Sequence, residues 1–258
     1  KTSNYISDEA ENKLRYERDY PYSSIKLKLG GGLRYSHYTN DTYRKVFIAG
    51  APYELNYNTE LNLWGYQAFA QASDEYLDDR LKLSLGISTV GNNFNKNMSN
   101  PLNQLSPRLS ASYMINDKWD LNANFGRYAA QPAYTTMGFR NTAGDFVNKN
   151  ENLKYVISNQ AIMGFEFRPV DKMRLTVEGF YKQYEQYPLS VLDGLSIASK
   201  GADYGQIGDE EIISTGKGRA YGVEFLYKIM EWNNINLTTT YTYFRSEFTD
   251  KDNVYRPS

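Results

Sequence analysis

The sequence predicts an all-β fold: part of an antiparallel, up-and-down transmembrane β-barrel, contributing about nine strands of a larger barrel. Three observations carry that expectation. Apolar and polar residues alternate with a period of two through successive segments, as in strands with one apolar face. Aromatic residues make up 15% of the chain, yet mean hydropathy is only -0.65. A barrel strand shows lipid only every second side chain, so rings can gather at the two interfaces without long apolar runs. Short turns also alternate strictly with long polar connections, as they do when one barrel end carries turns and the other carries loops.

The first strand covers residues 24–36, where Ile25, Leu27, Leu29, Leu33 and Tyr35 oppose Lys26, Lys28, Gly30, Gly32 and Arg34, and it stands without a hairpin partner. Residues 65–76 then turn through Leu77-Asp78-Asp79-Arg80 into Leu81, Leu83, Leu85 and Ile87. Leu109, Ala111, Tyr113 and Ile115 return as Leu121, Ala123 and Phe125 across Asn116-Asp117-Lys118. Ala161, Met163, Phe165 and Phe167 lead through Pro169-Val170-Asp171-Lys172 to Met173, Leu175, Val177, Gly179 and Tyr181. Tyr221, Val223, Phe225, Tyr227 and Ile229 turn at Glu231-Trp232-Asn233-Asn234 into Ile235, Leu237, Thr239, Tyr241 and Tyr243. Asn, Asp and Pro at these joins are the residues that tight turns select. Residues 37–63, 92–104, 129–154 and 188–217 read as the long connections.

The opposite face of these strands is rich in Gly, Ser, Thr, Asn, Arg and Glu, which suits a lumen filled with water or with another polar domain. No run approaches the roughly 20 apolar residues of a spanning helix. With Cys 0 there is no disulfide, thiolate metal site or cysteine nucleophile. Twenty-nine basic against 30 acidic residues lack the basic excess of a nucleic-acid binder, so nucleic acid is not expected as a partner. His37 is the single histidine and reads as a loop residue; it rules out a histidine metal cluster and argues against a Ser-His-Asp triad. Gly30-Gly31-Gly32 lacks the Gly-Lys-Ser/Thr and the helix of a phosphate loop. Asp209-Glu210-Glu211 lacks the alternating ligands of a Ca²⁺ loop. No metal, cofactor or enzymatic activity is therefore expected. Residues 1–8 carry no apolar signal-peptide core and residues 255–258 no closing aromatic strand, so the chain reads as mature or cut at the start and truncated at the end.

Leu105-Ser106-Pro107-Arg108-Leu109-Ser110-Ala111-Ser112-Tyr113 followed by Asn116-Asp117-Lys118-Trp119 resembles a barrel hairpin of TonB-dependent outer-membrane receptors. Phe125-Gly126-Arg127-Tyr128 with Gln131-Pro132 is similar to that family's strand end. Glu151-Asn152-Leu153-Lys154, Asn159-Gln160, Gly218 to Glu224 and Tyr241-Thr242-Tyr243 resemble its later strands. The resemblance covers roughly residues 63–248, and order and spacing make it specific where single motifs do not. It implies that residues 1–258 belong to the C-terminal barrel of about 22 strands, with the plug domain, the TonB box and the closing strand outside the chain. It further implies uptake of a scarce ligand (siderophore, cobalamin, sugar or peptide) across the outer membrane of a Gram-negative bacterium. The implied partners are outer-membrane lipid, the plug of the same parent protein, TonB, and a surface lipoprotein that delivers ligand. A passive porin-like barrel and a soluble all-β carbohydrate-binding module are the alternative readings.

Site expectations follow from position. Arg34, Arg108, Arg174, Glu178 and Glu224 fall on the lumenal face, where they line a substrate path or, as the resemblance implies, pair with the plug. Tyr134, Phe139, Arg140, Tyr187 and Tyr204 lie in long connections and are the candidates for ligand contact, since rings and guanidinium groups make effective anchors. The other reading of these rings is that they pack the loops onto one another.

Overall fold

The computed structural model describes residues 2–48, 51–150, 153–200, 208–232 and 235–258. Among them, one antiparallel sheet runs in chain order through β1 (Thr2–Tyr22), β2 (Ile25–Ile48), β3 (Ala51–Tyr76), β4 (Leu81–Asn92), β5 (Ser106–Asn116), β6 (Trp119–Ala130), β7 (Val156–Phe167), β8 (Met173–Ser190), β9 (Ile212–Trp232), β10 (Ile235–Thr249) and β11 (Tyr255–Pro257). Two short helices, α1 (Lys96–Ser99) and α2 (Tyr134–Met137), sit in connections. Every neighbour in the sheet is also a neighbour in sequence, so the architecture is up-and-down.

The expected turns form. Asn116 shows why the chain reverses there: its Oδ1 accepts the N–H groups of Lys118 (2.9 Å) and Trp119 (3.1 Å), an Asx arrangement that closes the turn. The β1–β2 join places Ser23 at φ 57, and Leu77, Asp78 and Asp79 all carry positive φ, a cost that Asp tolerates better than Leu. Of the turn expected at Glu231-Trp232-Asn233-Asn234, Asn233 and Asn234 lie outside the described residues, as do Glu151 and Asn152.

Strand count and one connection differ from expectation. Among the described residues there are eleven strands rather than about nine, and residues 24–36 do have a partner: β2 pairs with β1 from Tyr22↔Ile25 to Thr2↔Lys45. Residues 37–63 are not a loop, since β2 and β3 pair from Lys26↔Ser73 to Ile48↔Ala51. His37 therefore stands in β2, with its Nδ1 2.8 Å from Asn62 Oδ1. The 188–217 connection is shorter too, because β8 runs to Ser190 and β9 starts at Ile212.

The reason lies in a change of face along β2 and β3. Below Tyr35 and Trp64, whose rings lie 5.0 Å apart, the outward row is Ile25, Leu27, Leu29 and Leu33 on β2, all but Leu27 exposed, with Ala68, Ala70 and Ala72 on β3. Above that pair the outward row is His37, Thr39 and Asp41 against Asn62, Glu60 and Asn58, while Tyr38, Leu55, Tyr57, Leu61 and Leu63 are buried on the inward face. The apolar side switches from lipid-facing to inward-packed, so a search for one continuous apolar row stops at the switch.

The outward band continues around the sheet. Leu85, Leu109, Phe125, Met163, Phe165, Val177, Val223, Phe225, Leu237 and Tyr241 are all exposed. On β8 the row Met173, Leu175, Val177, Gly179, Tyr181 gives way to Gln183 and Glu185, a length close to the 9–11 residues of a tilted membrane strand. At the turn end Trp119 stacks on Phe167 (4.4 Å), and nearer the loops Tyr181 stacks on Tyr221 (6.4 Å). Such rows of rings bound the apolar band of a transmembrane barrel. A field of apolar side chains this wide would be an aggregation liability in water; against hydrocarbon it is matched.

Candidate functional site

Two polar regions on the inward side carry the chemistry: a cap at the loop end and the lumenal wall below it. The cap is built where the inward apolar row of β2 and β3 meets the connections. Tyr38, Leu61 and Leu63 pack with Phe94 and Met98 from the β4–β5 connection, with Met137, Leu153 and Tyr155 from the β6–β7 connection, and with Ile212. A second cluster joins Leu55 and Tyr57 to Phe139. Polar stitches satisfy the backbone that this burial strands. Asn95 caps α1 by accepting the Met98 N–H (2.8 Å), and its amide donates to the carbonyls of Asn150 (2.7 Å) and Leu153 (2.9 Å). Asn148, fully buried, donates to the carbonyls of Thr136 and Glu210 (2.8 Å each) and accepts the Ile212 N–H (2.9 Å). One amide thus fixes the β6–β7 connection to the β8–β9 connection.

A buried ion pair ties the same region to the hairpin. Arg44 Nη1 of β2 donates to both carboxylate oxygens of Asp209, at 2.8 and 2.7 Å, and Asp209 is 4% exposed. Burial pushes its carboxyl up to about 6, although Arg44 pulls the other way. Beside it, Glu210 is held by Lys200 (2.7 Å) and Ser190. The acidic run considered for Ca²⁺ therefore spends two of its carboxylates on cations of the chain. Burial also pushes the Tyr38 hydroxyl up, so it stays neutral and meets Tyr5 Oη at 2.8 Å.

Because Leu153 is wholly buried in the first cluster, Leu153→Ala is expected to weaken cap closure by about 2 to 5 kcal/mol. Hydrogen exchange at the Tyr155 and Ile212 amides reads the change, and unchanged protection there would show that the cap does not depend on this cluster.

The sequence candidates are placed as follows. Tyr134 stacks on Tyr38 (5.5 Å) and donates to Glu11 (2.9 Å). Phe139 meets Tyr57 edge-on (5.8 Å). Arg140 lies 3.5 Å over the Phe146 ring and donates to the Gly144 carbonyl (2.6 Å). Tyr187 belongs to β8, where it packs on Phe248 (4.3 Å) and Tyr184 (6.0 Å). Tyr204 lies outside the described residues. The cap thus gathers Tyr134, Phe139 and Arg140, and Tyr187 stands apart from them on the β8–β10 wall.

All five lumenal candidates share the inward face by register. Arg34 donates to Gln131 (2.6 Å) and faces Glu11 (3.7 Å), Arg108 lies over Tyr128 (4.4 Å), and Arg174 pairs with Glu166 (2.7 Å). Glu178 and Glu224 stand directly opposite each other across β8 and β9. Sequence reasoning missed Arg44, Asn148 and the inward row Tyr38, Leu55, Leu61, Leu63. The alternation through 55–63 was the available signal, on the parity opposite to that of the membrane band.

An up-and-down sheet with an apolar outer band between rows of rings, a polar inner wall and loops packed at one end is the wall of a transmembrane β-barrel. The family described as TonB dependent receptor-like, beta-barrel, matches residues 2–257, and the chain belongs to that family. Its members are outer-membrane transporters of bacteria rather than enzymes. No curated protein matches the sequence. Among solved structures, the copper transporter OprC is 14% identical, with TM-score 0.65 over 98% of this chain and 39% of that one. The ferripyoverdine receptor of the outer membrane of Pseudomonas aeruginosa is 15% identical, with TM-score 0.65 over 98% and 34%. The siderophore receptor PirA from Pseudomonas aeruginosa is 17% identical, with TM-score 0.61 over 94% and 44%. The chain thus spans less than half the length of these structures, and at such identities the likeness is one of fold.

Proposed function

We propose that this chain is part of the barrel of an energy-coupled uptake receptor in the outer membrane of a Gram-negative bacterium, with a plug from the same parent protein inside it. The observation that carries this reading is the pair Glu178 and Glu224. Like charges placed directly opposite on one sheet face destabilise it, and among the described residues no cation pairs with either. A cationic side chain of an inserted plug neutralises the pair, whereas the water of an open pore only screens it. In this reading TonB acts on the plug, a surface lipoprotein delivers ligand, and the ligand is a scarce small molecule of the siderophore, cobalamin, sugar or peptide class. Tyr134, Phe139, Arg140, Tyr187 and Tyr204 are the residues that contact it in this reading.

Replacing both carboxylates, Glu178→Gln with Glu224→Gln, in the full-length receptor is expected to loosen the plug. Cells carrying it are expected to admit a bulky hydrophilic antibiotic about tenfold or more faster, from the roughly 1.5 to 3 kcal/mol that such charge-assisted contacts supply. Wild-type permeability in the double variant would overturn the plug pairing. TonB-independent passage of solutes through the wild type would overturn the receptor reading as a whole.

A further inference from the structure

The lumenal wall of β2–β6 carries a continuous groove that neither the cap nor the pair Glu178 and Glu224 accounts for. Three cavities of about 410, 520 and 540 Å³ follow one another down it. The upper and middle ones share Arg15, Gln67 and Val90, and the middle and lower ones share Ser84, Ser110 and Asn124. The groove begins under the cap at Gln131 and Tyr155 and ends among Ser112, Asn122 and Glu178. Along β6 it follows residues 122–130, about 26 Å of wall at roughly 3.3 Å per residue.

Its chemistry changes on the way down. Beneath the cap it is lined by Lys13, Arg15, Lys28, Arg34 and Arg108. Lys13 pairs with Glu11, Arg15 with Glu17 (2.8 Å) and Lys28 with Asp19 (3.4 Å). Arg34 has only a 3.7 Å share of the same Glu11. Arg108 has no carboxylate partner among the described residues; its guanidinium lies over the Tyr128 ring, and its cross-strand neighbours Gly86 and Gly126 put no side chain beside it. Two positive charges are thus left over. Below them Ser73, Ser84, Ser110 and Asn124 stand side by side on four strands, an uncharged row whose hydroxyl and amide groups both donate and accept hydrogen bonds. Further round the wall the balance is opposite in sign, because Glu178 and Glu224 face each other without a cation among the described residues.

Given the receptor reading, we propose that this groove is the path by which solute crosses the lumen, and that it selects an anionic, hydrogen-bonding solute. Arg34 and Arg108 draw the anion in under the cap. The serine and asparagine row passes it on, since conduction needs contacts weak enough to let go. A plug held by its cations at Glu178 and Glu224 is fastened on the β8–β9 side, and the surplus positive charge on β2 and β5 repels those same cations. The groove ends at Glu178, so freeing the plug there opens its lower mouth.

The test uses the full-length receptor in intact cells, with a single cysteine introduced by Ser110→Cys or by Phe244→Cys. The two positions lie in one row of the register, and Phe244, on the inner wall of β10, is 61% exposed where Ser110 is half-buried. The probes are a sulfonated dye maleimide and a cationic rhodamine maleimide of similar size, both too large for general porins. The sulfonated probe is expected to label Ser110→Cys about tenfold or more faster than the cationic probe does, and about tenfold faster than it labels Phe244→Cys, the reverse of their exposure. Arg34→Gln with Arg108→Gln is expected to bring the two probes to one rate at Ser110→Cys while the receptor assembles in normal yield. Equal rates for the two probes, or Phe244→Cys labelled as fast as Ser110→Cys, would overturn the proposal. Labelling that keeps both preferences in cells without TonB would count against the receptor reading and not against the groove.

Discussion

Val177→Arg is expected to impair assembly of the barrel in a membrane by about 2 to 4 kcal/mol, the cost of a cation on the lipid face near the midplane. Val177 points outward and is 39% exposed, with Phe165 and Phe225 as its cross-strand neighbours, so a long cationic side chain there has no polar group beside it on its own row. The informative control lies on the other face of the wall. Thr176, the adjacent inward residue, is a poor choice: it is buried, faces Glu166 across the strand pair and accepts from Arg174 (3.4 Å), so Arg there disturbs an existing ion-pair cluster. Asn124 is inward, exposed, and lines an open lumenal groove; Asn124→Arg is expected to assemble at near wild-type yield. Folding into lipid vesicles under urea, followed by the altered gel mobility of folded barrels, measures both. Equal loss at Val177 and Asn124 would mean that the two faces are wrongly assigned.

The two faces of the wall also decide how much of the fold a single sequence displays. Between Gly65 and Tyr243 the apolar row keeps one parity through the outward band of each strand, so those strands were legible from period and turn chemistry alone, whereas β11, three residues long, is too short to show a period. Residues 37–63 were not, because there the apolar side is set by packing against three distant connections: Tyr38 touches Tyr134, and Leu61 and Leu63 share a cluster with Met98 and Leu153. β1 escaped notice for a related reason. Its outward row, Leu14, Tyr16, Arg18, Tyr20, Tyr22, carries an arginine among the rings, and its inward row Glu11, Lys13, Arg15, Glu17 reads as a solvated charge run until ion pairs such as Arg15 with Glu17 (2.8 Å) are seen. The lumenal candidates were legible because strand alternation fixes their side. The partners of the cap residues were not, since Arg44 and Asp209 are 165 residues apart and nothing local in either segment announces the other.

Removing Arg44 is expected to open the cap. Arg44→Met keeps the length and apolar stem of the side chain but leaves Asp209, 4% exposed, as a buried carboxylate without its cation, which typically costs about 3 to 5 kcal/mol. The pH dependence gives the sharper signature. The Asp209 carboxyl rises from 3.8 to about 6 on folding because burial outweighs Arg44. Between those values the closed cap binds more protons than the open one, so closure weakens as pH rises from about 4 to about 6 and is level above that, a change of about 3 kcal/mol at most. Without Arg44 the pull toward the ionised form is gone, the carboxyl rises further, and the window moves up. The Arg44→Met cap is therefore expected to be open near neutral pH and to close again on acidification, whereas Asp209→Asn removes this part of the slope. The chain has no cysteine, so a single fluorophore at Val191→Cys, an exposed loop position, reports opening under urea at each pH. A wild-type cap that tightens as pH rises through this range, or an Arg44→Met cap that stays open at acid pH, would show that the pair does not govern closure. A receptor whose loops were held only by the apolar cluster would show neither behaviour, because burial of Tyr38, Met98 and Leu153 carries no proton.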